Sequence, residues 1–239
     1  MTVLGHDSTT PVTIDEMLML TRAVARVARR AIVIADLPFG SFQVSDEHAV
    51  EHSVRFLKEA GAHGVKLEGA GRMLSRVRAL VGSGIAVMGH IGLTPQSVMM
   101  LGGYVAQGRT AAEARRLVDD ARALEDAGCF SIVLEAIPAP VAKRVTDAVS
   151  IPTIGIGAGV HCDGQVLVWH DLVGLSPGHV PRFVKRYADL GGVTLTALEA
   201  FVADVRAASF PEPKHAYGMP DAELERFEAS FAPGKIAAR

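Results

Sequence analysis

The sequence predicts an α/β protein of the (β/α)8 TIM-barrel type that lacks its first two strands. Three observations carry this. Short apolar, β-branched runs recur along the chain, each followed by a segment of helical periodicity. The runs are apolar throughout rather than alternating, as befits strands of a parallel sheet that are buried on both faces. Nearly all end in a reactive or glycine residue, which suits a ring of strand ends at a barrel mouth better than the single crevice of an open sheet.

Six strands are expected, over residues 31–36, 64–68, 86–90, 131–135, 152–157 and 165–170. Helices fill the intervals. Thr13 with Glu16, and Thr110 with Glu113, have the spacing of capping boxes, in which hydroxyl and carboxylate satisfy backbone N–H groups reciprocally. Gly61 and Gly128 stand where helices stop, because glycine takes the left-handed conformation without a steric cost. Beyond the last strand, helical patterns cover residues 181–189 and 194–208, a Pro-rich stretch covers 210–213, and a further helix is expected over 221–231. Six strands fall two short of a closed barrel. Residues 1–217 are therefore read as an N-terminally incomplete barrel domain, and 218–239 as an extra C-terminal tail.

The composition narrows the function. With 239 residues, 49% hydrophobic and 21% charged, the chain has the make-up of a packed domain and not of a disordered or collagen-like one. A net charge of -2, with Lys and Arg scattered, gives no electrostatic footprint for nucleic acid or an anionic membrane. No run reaches the ~18 apolar residues of a membrane span, and the start lacks the pattern of an export signal. No nucleic acid and no membrane are expected as partners; a small molecule is. Cys129 and Cys162 are far apart and form no metal or redox motif, which suits a reducing cytoplasm.

Several strand-end residues have chemistry to offer. Asp36 closes an apolar strand and is followed by Leu-Pro-Phe, a place for a metal ligand or for a turn cap. Lys66 and Glu68 lie two apart on a strand and so share a face. An ion pair is the plainer reading, but buried pairs stabilise weakly, whereas an anionic substrate beside a divalent cation needs both signs. His90, between glycines, has both a structural and a ligand-binding reading. Glu135 ends an apolar strand, where desolvation raises a carboxyl pKa toward that of a general base. Gly155, Gly157 and Gly159 do not complete a dinucleotide fingerprint, since Val160 follows, and are read as keeping the barrel mouth open. No phosphate-loop, serine-hydrolase or zinc-protease motif occurs.

Taken together, nine segments resemble the ketopantoate hydroxymethyltransferase (3-methyl-2-oxobutanoate hydroxymethyltransferase) family. They are Gly-His-Asp-Ser-Thr at 5–9, Ala-Asp-Leu-Pro-Phe at 35–39, Val-Lys-Leu-Glu-Gly at 65–69 and Gly-His-Ile-Gly-Leu-Thr-Pro-Gln-Ser at 89–97. Next come Gly-Gly-Tyr-Val-Ala-Gln-Gly-Arg at 102–109, Leu-Glu-Ala-Ile-Pro at 134–138 and Gly-Ile-Gly-Ala-Gly at 155–159. Cys-Asp-Gly-Gln at 162–165 and Phe-Pro-Glu-Pro-Lys-His-Ala-Tyr at 210–217 complete the series.

The resemblance implies a (β/α)8 barrel in pantothenate biosynthesis. Its activity would be the Mg2+-dependent, aldol-type transfer of a one-carbon unit from 5,10-methylenetetrahydrofolate to 3-methyl-2-oxobutanoate, giving 2-dehydropantoate. It makes Asp36 and Glu68 metal-site carboxylates, Lys66, Asp36 and His90 substrate-binding residues, and Glu135 the proton acceptor. It also implies a cytoplasmic homo-oligomer, a decamer. Family members carry a further N-terminal segment with two strands, one ending in Gly-Asp-Ser; its Asp is another metal-site carboxylate and its Ser binds the keto acid. Two other readings stand beside this one. One is an N-terminally truncated, inactive remnant kept for binding or assembly. The other is a related Mg2+ barrel lyase acting on another 2-oxo acid, which would need a reactive cysteine or a different loop; Cys129 precedes its strand.

Overall fold

The computed structural model describes residues 2–176, 178 and 180–231. Strand and helix alternate through the first of two compact units, residues 1–188. The order is α1 (Ile14–Val27), β1 (Ile34–Asp36), α2 (Asp46–Lys58), β2 (Gly64–Lys66), α3 (Leu74–Gly82), β3 (Ala86–Gly92), α4 (Val98–Leu101) and α5 (Ala111–Asp126). There follow β4 (Ser131–Glu135), α6 (Ala139–Thr146), β5 (Thr153–Ile156), β6 (Gly164–Gln165) and α7 (Trp169–Leu172). The strands pair in parallel and in chain order, β1 to β6, as one curled sheet. Parallel neighbours need a crossover, and a helix lies in each except that from β5 to β6.

Local signals place these elements. Thr13 and Glu16 form the expected capping box at α1, and Thr110 and Glu113 form another at α5. Gly61 and Gly128 take φ of +74° and +100° after α2 and α5, turning the chain into the next strand.

Side chains then sort by strand alternation. Ala35, Val65, Leu67, Val87, Ile91, Ile132 and Leu134 belong to a buried core with Phe56 of α2, Val77 and Leu80 of α3, and Leu124 of α5. Each fully buried Leu or Phe in such a layer contributes about 1.5–3 kcal/mol. Gly89 allows close packing there, since a Cβ would stand 3.0 Å from Leu124 Cδ1. The intervening residues, Asp36, Lys66, Met88, His90, Val133 and Glu135, occupy the opposite, concave face, as the register from β1 to β4 requires.

Two expectations need correction. The strand expected over 165–170 is the two-residue β6, and Trp169 and His170 belong to α7. Val166, Val168 and Trp169 are exposed, so no burial holds that run extended. The helix expected over 181–189 is absent: only a turn closes there, with Val184 N–H donating to the Pro181 carbonyl, and Arg182, Lys185 and Arg186 leave no apolar stripe. The second unit, residues 189–239, holds α8 (Leu190–Arg206) and α9 (Asp221–Ser230), close to the helices expected over 194–208 and 221–231. Residues 232–239 of the expected tail lie outside the described residues.

Candidate active site

The concave-face residues at the C-terminal ends of β1 to β4 meet in one cluster. Asp36 ends β1 in register with Lys66 of β2, Glu68 lies two residues beyond Lys66, and Glu135 ends β4 in register with Gly92 of β3. Lys66 Nζ is 2.9 Å from Asp36 Oδ1 and 3.1 Å from His90 Nδ1. An ammonium only donates, so His90 Nδ1 accepts, and the neutral ring carries its proton on Nε2. That Nε2 stands 3.2 Å from Glu135 Oε2, near enough to pair but off the line of a hydrogen bond. On the other side, His90 Nδ1 lies 3.9 Å from Glu68 Oε1. All five sequence-predicted site residues are thus brought together.

Burial and charge set the protonation states. Desolvation pushes the carboxyls of Glu68 and Glu135 up to about 7 each, against the opposing pull of Lys66. Burial also drives the His90 imidazole well below its ordinary value, and the Lys66 ammonium adds to this, so the ring is neutral. For Lys66 itself burial disfavours the charge, but Asp36 and Glu68 outweigh it and raise the pKa. The cluster holds a permanent cation, a neutral imidazole and two carboxyls poised near neutrality.

Two residues missed by sequence reasoning brace this arrangement. Gln96, in the short 3-10 turn Pro95–Ser97 after β3, donates its backbone N–H to Glu68 Oε2 at 3.0 Å. Its side chain meets that of Gln43, from the loop after β1, at 3.2 Å. Neither has a period to betray it; the one available signal was that Gln96 sits in the segment 89–97, six residues past His90. Ala136, directly after Glu135, takes φ of +47°. Such a conformation in a non-glycine residue costs on the order of 1–3 kcal/mol and collects at functional sites. It is held by Ala136 N–H donating to the Ile156 carbonyl and by Gln107 N–H donating to the Ala136 carbonyl.

Beside this strand end a cleft of about 1190 Å³ opens between the loops after β4 and β5, lined among others by Ala136, Pro138, Phe183, Arg109 and Arg182. Gly157 and Gly159, both at positive φ, line it too; a Cβ on Gly157 would strike the Phe183 ring. The space a Cβ would take at these glycines is filled by Phe183 and Ala139, so they permit close packing at the rim of the cleft and do not by themselves open it.

The donor set suits a hard divalent cation. Among the described residues no three His, Cys, Asp or Glu side chains group as a complete metal cage. Asp36 and Glu68 supply carboxylate oxygens from adjacent strand ends, and Asp36 Oδ1 is buried without an aligned hydrogen bond. Mg2+ usually takes one or two carboxylates and completes its octahedron with substrate oxygens and waters, so two suffice.

A parallel α/β sheet with ionisable side chains converging at the C-terminal ends of its strands defines an enzyme of the barrel class. Two solved structures share that fold: 2,3-dimethylmalate lyase of the PEP mutase/isocitrate lyase superfamily has a TM-score of 0.52 at 17% identity, covering 95% of this chain and 79% of its own. Phosphonopyruvate hydrolase has a TM-score of 0.52 at 13% identity, covering 93% and 76%. Within that class the chain belongs to the ketopantoate hydroxymethyltransferase family, whose model matches residues 1–213. The 3-methyl-2-oxobutanoate hydroxymethyltransferase of Carboxydothermus hydrogenoformans is 54% identical over 226 residues, 95% of this chain and 82% of that protein. The Nocardioides enzyme of the same name is 57% identical over 215 residues, 90% and 72%. No helix among the described residues is long and apolar enough to cross a membrane.

Proposed function

We propose that the chain transfers a one-carbon unit from 5,10-methylenetetrahydrofolate to 3-methyl-2-oxobutanoate, giving 2-dehydropantoate. In this reading Glu135 is the base, Lys66, Asp36 and His90 contact the keto acid, and Asp36 and Glu68 hold Mg2+. The observation that carries it is the convergence of these five side chains at four successive strand ends in a chain of this family.

Each residue has a task that its surroundings suit. Lys66 has three N–H donors; one is engaged by His90, while Asp36 pairs with the ammonium at 2.9 Å without an aligned hydrogen bond, so donors remain for the carboxylate of a 2-oxo acid. A divalent cation held by Asp36 and Glu68 supplies a Lewis-acid contact that favours negative charge on the keto oxygen. Glu135, raised toward neutrality by burial, takes the proton from C3, with the neutral His90 ring beside it at 3.2 Å. The C3 electron pair then forms a bond to the methylene carbon of the folate donor as the first of its two C–N bonds breaks. The second C–N bond breaks as the oxygen of water bonds to that carbon, the proton taken by Glu135 and one proton of the water pass to the two folate nitrogens, and tetrahydrofolate leaves. The cleft beside Ala136, with apolar walls and two guanidinium groups, suits a flat ring system bearing carboxylates.

The six strands read as an arc of a (β/α)8 barrel, whose other two strands are not among them; β1 and β6 each pair on one side only among the described residues. Residues 1–217 then form the catalytic domain and 218–239 an added tail. The free thiols Cys129 and Cys162 suit a cytoplasmic setting, and the exposed apolar side chains of α8, such as Leu198 and Phe201, suit a homo-oligomer. Mass spectrometry of a mixture of the protein, both substrates and Mg2+ tests the activity: 2-dehydropantoate is expected, and its absence also from a longer chain carrying two more strands would overturn the reading.

A further inference from the structure

We propose that Gln96, oriented by Gln43, is a positioning residue that fixes the Glu68 carboxylate relative to Asp36; this rests on the metal-site reading above. Gln96, itself just after β3, reaches the segments that follow two other strands, β1 and β2. Its backbone N–H donates to Glu68 Oε2 at 3.0 Å, after β2. Its Nε2 donates to the carbonyl of Leu37, the residue following Asp36, at 2.7 Å. Its Oε1 accepts from Gln43 Nε2 at 3.2 Å. Gln43 is fixed in turn, since its Oε1 accepts from Gly40 N–H at 2.7 Å and from Phe42 N–H at 3.4 Å.

The polarity of this chain runs one way only. Backbone N–H groups orient the Gln43 amide, the Gln43 NH2 orients the Gln96 amide, and the Gln96 NH2 ends on a backbone carbonyl. Reversing either amide would set oxygen against oxygen or NH2 against N–H. The turn Pro95–Ser97 is closed by backbone bonds, Ser97 N–H donating to the Thr94 carbonyl and Val98 N–H to that of Pro95, and the two side-chain bonds of Gln96 tie this turn to the loop after β1. Leu37 is fully buried and its N–H donates to the Lys66 carbonyl, so the far anchor is itself tied to β2. Glu68, through the Gln96 main chain, and the residue after Asp36, through the Gln96 side chain, are thereby tied to one residue, and neither glutamine adds charge to a cluster that already carries Asp36, Glu68 and Lys66. Gln96 reaches no reacting atom; it acts through Glu68.

The test uses Mn2+ as the probe, an ion with the same taste for oxygen ligands, titrated into the full chain while free Mn2+ is read by electron paramagnetic resonance. Gln96→Leu and Gln43→Leu are each expected to weaken Mn2+ binding by about 10–100-fold, the range for loss of a group supporting a metal ligand. The double variant should lose little more than either alone, because both act through one connection. Glu68→Gln is the reference and should weaken binding further. A role confined to folding would lower the melting temperature of the glutamine variants without changing Mn2+ affinity in the folded protein, and that result would overturn the proposal. Should Gln96→Leu fail to fold, Gln43→Leu, one bond further from Glu68, decides alone. A parent protein that binds no Mn2+, or a Glu68→Gln variant that binds as the parent does, would overturn the metal reading and this proposal with it.

Discussion

His90 Nε2 stands 3.2 Å from Glu135 Oε2 while Lys66 Nζ lies 3.1 Å from the other ring nitrogen, so the imidazole separates the cluster's ammonium from its expected base. A charged lysine in direct contact with Glu135 would hold that carboxyl ionised and weakly basic. With the neutral ring between them, burial outweighs the pull of Lys66 and the Glu135 carboxyl is pushed up to about 7, near a neutral pH, where a base is most effective.

Glu135→Gln should therefore slow exchange of the C3 proton of 3-methyl-2-oxobutanoate with deuterated solvent by about 10²–10⁴-fold. Keto-acid binding should be little changed, since the amide is isosteric. Proton NMR in D2O measures the exchange, and a rate near that of the parent would remove Glu135 from this role.

Asp36→Ala and Glu68→Ala should each weaken Mg2+ binding by at least about tenfold, with activity partly recovered at high Mg2+. Calorimetric titration of Mg2+ in the presence of keto acid checks this. Two variants that bind like the parent would place the metal elsewhere.

The carboxyl groups themselves can be followed. In metal-free protein, Glu68 and Glu135 should titrate near 7, against 4.5 for an ordinary glutamate, because burial favours the neutral acid. Mg2+ favours the charged form, so its addition should move the Glu68 midpoint down, and by more than that of Glu135. Carbon-13 NMR of labelled glutamate side chains reads both; a Glu68 midpoint indifferent to Mg2+ would deny the residue a place at the metal.

Gly92→Ala should destabilise the fold by more than about 2 kcal/mol. Gly92 has φ of +97°, and a Cβ there would collide with the Glu135 carbonyl oxygen and come within 2.8 Å of Ile137 Cγ2. Urea denaturation should show a lowered midpoint. A variant as stable as the parent would mean that the β3 and β4 ends separate without cost.

Much of this was legible in the sequence, for reasons that particular residues make plain. Residues 131–135 read as a strand because Ile132, Val133 and Leu134 are apolar in succession, and all three are buried. The capping boxes at Thr13 and Thr110 were visible because they need only four adjacent residues. Asp36, Lys66, Glu68, His90 and Glu135 stood out as ionisable groups at the ends of apolar runs, where burial demands an explanation. Gln43 and Gln96 did not, because an uncharged amide in a loop is ordinary until its partners are seen 53 residues away. The run after Gly164 misled for a related reason: Val166, Val168 and Trp169 are strand formers, but propensity yields where no neighbouring surface covers them.

The alternation along β2 carries a consequence for how such a site can change. Val65 and Leu67 are sealed in the helix-facing core, while Lys66 and Glu68 point the other way. Removing or adding a single codon between positions 64 and 68 would exchange the two pairs, driving an ammonium and a carboxylate into the hydrocarbon layer and leaving aliphatic side chains where the keto acid is expected. With only three residues in the strand there is no slack to absorb the slip. Variation at this strand is thus confined to one-for-one replacement.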